Sequence, residues 1–117
     1  MTQIHDRPED FATAAIAGFC SANARTARPV RGGVVRATAT PAGKVALVVG
    51  GGSGHYPAFA GFVGPGLADA AVAGDVFASP NAEQMYEVTK AIHGGRGVLY
   101  IYGNYGGDIM NFDMARD

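Results

Sequence analysis

The chain has 117 residues, one cysteine and nine basic against ten acidic side chains, a formal charge of −1. That makes one modest domain able to bury a core, and it lacks the clustered Lys/Arg that nucleic acid or an acidic membrane would require. The single cysteine, Cys20, excludes an internal disulfide, residues 1–8 lack the layout of a signal peptide, and no apolar run approaches membrane-spanning length, so the expectation is a soluble cytoplasmic protein.

In chain order, Pro8 to Ala22 reads as a helix, with Asp6 as cap and Phe11, Ala15, Gly18, Phe19 and Ala22 on one apolar face. Arg25 to Arg31, polar and holding Pro29, reads as irregular, and Val34 to Ala37 as a short strand. Pro41 to Gly43 is a turn. Lys44 to Val49 is an unbroken aliphatic run that suits a strand buried on both faces of a parallel sheet.

That run stops in Gly50-Gly-Gly-Ser-Gly54, followed at once by His55. Glycines just beyond a parallel strand mark a place where backbone comes close to a ligand, and the imidazole adds a group titrating near neutral pH. A short helix is expected from Pro57 to Phe62, and a strand interrupted by Gly74 from Ala70 to Val76. The next helix has Ser79 as cap, Pro80 in its first position and a buried stripe of Ala82, Met85, Val88 and Ile92; Gly94 and Gly95 end it. Gly97 to Tyr102 is a second strand, Gly103 to Asp108 its exit loop, and Ile109 to Ala115 a helix with Asp108 as N-cap.

Eighteen glycines are present, gathered mainly at the ends of apolar runs, as turns and ligand loops on an ordered scaffold would place them. Strands alternating with helices imply an α/β fold: a parallel or mixed sheet built from βαβ units with flanking helices. The two glycine segments, 50–54 and 103–107, then leave strands toward one edge of the sheet, bringing His55 and Asp108 toward each other.

Three glycine motifs are excluded. A phosphate-binding P-loop needs Gly-Lys-Ser/Thr, and Gly54 is followed by His55. The dinucleotide fingerprint needs a third Gly or Ala where His55 or Pro57 stands. The nucleophile elbow needs a glycine two residues after Ser53, and that residue is again His55. The residues by themselves therefore define a tight loop for an anion or a polyol, with a plain strand-to-helix turn as the bland alternative. No spacing of His, Cys, Asp or Glu suggests a metal site. Tyr100 and Tyr102 share a strand face as packing or interface residues, and His93 sits at a helix C-terminus, where a cation is favourable.

The ordered series Gly50-Gly-Gly-Ser-Gly-His55, Pro57-Ala58, Ala60-Gly-Phe-Val-Gly64, Asp69-Ala-Ala-Val72, Gly74-Asp-Val-Phe77, Ser79-Pro80, Asn104-Tyr105, Gly107-Asp108 and Met110-Asn-Phe112 resembles the substrate-binding K domain of dihydroxyacetone kinases. The resemblance runs from about residue 5 to the end and implies that residues 1–117 are the N-terminal portion of such a domain, incomplete as it stands. It implies phosphoryl transfer to a terminal hydroxyl of dihydroxyacetone or a similar short ketose. Gly52, Ser53, Gly54 and His55 would contact the ketose. His55 would be a general acid/base, and Asp108 the carboxylate that hydrogen-bonds the reacting hydroxyl.

No cofactor is expected on this chain. ATP and Mg2+ would sit on a separate L domain or subunit, or a phosphotransferase-system phosphoprotein would be the donor. The complete protein would be a homodimer. Three positions depart from the family pattern: Gly103 replaces a lysine, Tyr56 a glutamate and Phe59 a histidine. These changes fit either a pocket reshaped for a four-carbon ketose such as erythrulose or a weak or inactive relative. The family's substrate-trapping histidine belongs to the second half of the domain and has no counterpart among these residues. A non-catalytic ketose sensor and an inactive fragment are the alternative readings.

Overall fold

The computed structural model describes residues 11–52, 58–74, 80–103 and 106–117. The elements are α1 (Phe11–Ala22), β1 (Ala27–Val30), β2 (Gly33–Arg36), β3 (Ala46–Gly52), a 3-10 turn (Ala60–Phe62), β4 (Ala70–Gly74), α2 (Ala82–Ile92), β5 (Val98–Tyr102) and α3 (Gly106–Arg116). The strands form one mixed sheet in the order β1-β2-β4-β3-β5. β4, β3 and β5 are parallel, and the β1–β2 hairpin joins β4 antiparallel. This is the α/β architecture that the aliphatic runs and intervening helices imply.

Several boundaries differ from the sequence reading, each for a local reason. Residues 27–30 are a strand, not irregular, because β1 is an edge: Pro29 lacks the N–H of a ladder donor, and an edge strand can spare it. The hairpin turns tightly through Arg31 and Gly32, with Gly32 at φ +94°. α1 buries Cys20 and partly buries Ala12, Ile16 and Phe19, whereas Ala15, Gly18 and Ala22 face solvent, so the true stripe is rotated from the expected one. The cap of α2 is Asn81 rather than Ser79: its side chain accepts from the Gln84 amide at 2.8 Å, and the Gln84 side chain accepts from the Asn81 amide at 2.9 Å. Met85, Val88 and Ile92 are buried as expected. At the end of α2, His93 Nδ1 accepts a hydrogen bond from the Gly95 amide at 3.1 Å, which stabilises the turn there.

Each sheet face carries its own core. On one face α2 and α3 cover Val35, Val48, Val72, Met85, Val88 and Phe112. On the other, α1 and the segment from Phe59 to Val63 cover Val34, Val49, Ala71 and Cys20. Burial pushes the Cys20 thiol pKa up, so it packs as a small apolar group.

The amino ends of the parallel strands are tied by charge. Asp69, fully buried, accepts from Arg36 Nη1 at 2.7 Å, from the Leu47 amide at 2.8 Å and from Lys44 Nζ. Burial alone would raise the Asp69 pKa. The hydrogen bonds from Lys44, the Leu47 amide and Arg36 outweigh burial and hold the carboxyl below the usual carboxylate range.

Candidate functional site at the carboxyl edge of the sheet

β3, β4 and β5 run in one direction, so their carboxyl ends share a rim. Gly50 pairs with Tyr102 and Gly52 with Gly74, which fixes the register of all three ends. The segment from Phe59 to Val63, which follows β3, lies on the α1 face, whereas α2 and α3, which follow β4 and β5, lie on the opposite face. In open α/β sheets, ligands bind beyond the carboxyl ends of the strands where successive connections go to opposite faces.

The two segments expected to converge do leave on that rim, but their glycines are used differently from the sequence reading. Gly50, Gly51 and Gly52 are not a loop; they are the last three residues of β3 and carry ladder pairing. Gly106 and Gly107 are likewise not loop but the first turn of α3. Asp108 is therefore not the N-cap. It is the third residue of the helix, 5% exposed, in the positive first turn, where a carboxylate is favourable. Of the residues expected to form the site, Gly52 and Asp108 lie on this rim, and Gly103 lies just past β5. Ser53, Gly54 and His55 are outside the described residues, as are Tyr56, Asp75, Ser79 and Tyr105.

Two aromatic rings frame the rim. Phe112, one turn after Asp108, is 1% exposed. It stacks on Tyr102 (centroids 4.2 Å apart, planes 5° apart) and meets Tyr100 edge-on at 5.3 Å. Tyr100 is itself held by a hydrogen bond between its hydroxyl and Thr89 Oγ1 at 2.7 Å. On the opposite face, Phe59 packs over β3 and walls a small, mainly apolar cavity of about 50 Å3 that reaches Gly52, Ile16, Val34 and Ala71. Tyr100 and Tyr102 are thus packing residues, as the sequence suggests. The parts played by Phe59 and Phe112 are missed by sequence reasoning. The available signal is their spacing, each four residues after a candidate site residue.

A second cavity, of about 450 Å3, opens between α1, the β1–β2 turn and the start of α2. Two of its polar side chains are committed elsewhere: Arg31 pairs with Glu83 at 3.1 Å, and Gln84 binds Asn81 and donates to the Ala73 carbonyl at 3.3 Å. Among the described residues no group of three or more His, Cys, Asp or Glu is placed to hold a metal ion, and no helix is long and apolar enough to cross a membrane. Nor is the Gly50–Gly51 backbone open to a phosphate, since a ring covers it on each face.

The molecule is thus an open α/β domain whose three parallel strands end at a common rim, where aromatic rings pack on β3 and the buried carboxyl group of Asp108 lies in the first turn of α3. Residues 17–117 match the Dak1 domain, and the chain belongs to that family. It is 54% identical over 117 residues to a D-erythrulose kinase of Mycolicibacterium smegmatis, covering 100% of this chain and 20% of that protein. The dihydroxyacetone kinase of C. freundii superposes with a TM-score of 0.90 at 36% identity, over 99% of this chain and 22% of that one. A dihydroxyacetone kinase operon co-activator superposes with a TM-score of 0.81 at 28% identity, over 88% of this chain and 32% of that one. The chain therefore spans about a fifth of the length of the kinases it matches.

Proposed function

We propose that this chain supplies part of the ketose-binding site of a phosphotransferase acting on the terminal hydroxyl of a short ketose, with four-carbon erythrulose the preferred substrate over dihydroxyacetone. The observation that carries the reading is Asp108: a carboxyl buried to 5% exposure in the first turn of α3, on the rim where β3, β4 and β5 end. Identity of 54% to an erythrulose kinase along the whole chain favours the four-carbon substrate. So do Tyr56 and Phe59, which depart from the dihydroxyacetone pattern.

In this reading Gly52, Ser53 and Gly54 hold the ketose, Asp108 accepts a hydrogen bond from the reacting hydroxyl, and His55 takes its proton as the phosphoryl group arrives. A primary alcohol is a poor nucleophile at neutral pH, so a placed base and a positioned acceptor are the chemistry required of this surface. The phosphoryl donor comes from a partner, either an L-type domain or subunit carrying ATP and Mg2+ or a phosphotransferase-system phosphoprotein.

The likeness to an operon co-activator favours a second reading, ketose binding without turnover. Titrating the intact gene product with erythrulose and with dihydroxyacetone, then adding each class of donor and following ketose phosphate by 31P NMR, separates the two. Phosphorylation with a preference for erythrulose supports the kinase. Binding with no phosphorylation under either donor supports the sensor. No binding of either ketose overturns both.

A further inference from the structure

Consecutive residues of a strand point to opposite faces, and the last glycines of β3 use that alternation in a specific way. A Cβ added at Gly50 would lie 2.8 Å from Phe112 Cζ, on the α2/α3 face, and against Val72. A Cβ added at Gly51 would lie 2.7 Å from Phe59 Cζ and closer still to Phe59 Cε2, on the α1 face. Real side chains essentially never approach that closely, so each ring occupies the volume that any larger residue would fill. Neither glycine has a positive φ. Their smallness is needed for ring seating and not for a special backbone angle.

The rings do not come from arbitrary places. Phe112 lies one helical turn after Asp108, within α3, so seating it sets both the depth and the rotation of the helix that carries this carboxyl. Phe59 lies four residues after His55 in sequence and seven after Gly52. Seating it on Gly51 therefore pins the far end of the chain that leaves β3 onto the strand it has just left.

We infer that Gly50 and Gly51 are positioning residues: two back-to-back sockets on one strand, which lock Phe112 and Phe59 and thereby register the Asp108 helix and the Phe59–Val63 segment against each other from opposite faces. The inference rests on the proposed ketose site for its functional meaning, but the lock itself is a property of the ligand-free chain. It also reassigns these two glycines. They serve the ligand through the rings and not by offering bare backbone to it.

The test uses the intact gene product with two socket-filling variants (Gly50→Ala, Gly51→Ala), two ring-trimming variants (Phe112→Leu, Phe59→Leu) and the two matched pairs, Gly50→Ala with Phe112→Leu and Gly51→Ala with Phe59→Leu. The ligand-free readout is the carboxyl 13C signal of Asp108 after Asp-selective labelling. It is expected to move in Gly50→Ala and in Phe112→Leu, to return toward its wild-type position in their pair, and to stay in place in Gly51→Ala.

The second readout is ketose affinity, using erythrulose as probe. It is expected to fall roughly tenfold to a hundredfold in Gly51→Ala, as for a site displaced by about an ångström, and to recover most of that loss in the pair with Phe59→Leu. The trimmed single variants keep the test informative where a filled socket fails to fold. An Asp108 signal unmoved by Gly50→Ala and Phe112→Leu, or pairs no better than the worse single variant, overturns the inference. A moving Asp108 signal in a protein that binds no ketose supports the lock and overturns the proposed function instead.

Discussion

At the amino ends of the parallel strands, Asp69 is matched by Arg36, Lys44 and the Leu47 amide, and every charge there is spent on a neighbour. At the carboxyl ends the chain offers glycines, two locked rings and Asp108. The two rims belong to the same three strands and lie only a few residues apart along each of them. One is closed by a satisfied ion network whose removal would leave a buried guanidinium unpaired. The other is held by shape, through rings seated on small residues. The division separates two ways of holding one sheet: charge pairing at the amino rim and shape complementarity at the carboxyl rim.

Substitutions at the two rims should therefore fail in different ways. The largest effect is expected for His55→Ala, which should lower turnover of the intact gene product by roughly 10²-fold to 10⁴-fold, the usual contribution of a general base, while its thermal midpoint stays near wild type. A near-wild-type rate in that variant removes the base assignment.

Asp69→Asn should do the reverse, costing about 3–5 kcal/mol of stability by stranding buried Arg36, with ketose affinity of the folded fraction unchanged. Denaturant unfolding measures the first and calorimetric titration the second. The same carboxyl predicts an acid limb. Its native pKa is held below the unfolded value of about 3.9, so its stabilisation is complete above that value. The stabilisation is lost as pH falls through it toward the lower native pKa, because the unfolded chain then binds the proton first. Unfolding curves between neutral pH and pH 3 should show this loss in the wild type and a shallower one in Asp69→Asn; parallel profiles would contradict the network's role. The smallest effect is expected for Asn81→Ala, which removes half of the α2 capping box for about 1 kcal/mol, without a change in ketose affinity.

What was legible in the sequence was local. The aliphatic run at β3, the strand at β5, the stripe of α2 and the common direction of the strand exits all follow from periodicity and punctuation, and the parallel part of the sheet follows from them. What was not legible depends on partners distant in the chain. Pro29 argues against a strand until β1 is known to be an edge. Gly50 and Gly51 read as loop because glycine is a poor strand former, and only the rings of Phe59 and Phe112 explain why β3 ends that way. Asp69 meets Arg36 across 33 residues and Lys44 across 25, separations that no spacing rule reports. Ser79 and Asn81 are both fair caps, and only the reciprocal bond with Gln84 separates them. Asp108 reads as an N-cap in the sequence, yet it sits inside the helix rather than before it.

The most direct measurement is a map of backbone amide shifts in the intact gene product as erythrulose is titrated in. Shifts concentrated at Gly52, Gly103 and Asp108, with Arg36, Lys44 and Asp69 unmoved, are the expected result. Shifts centred on the Asp69 network, or a carboxyl rim indifferent to saturating ketose, would contradict the assignment of ligand chemistry to one end of these strands and cohesion to the other.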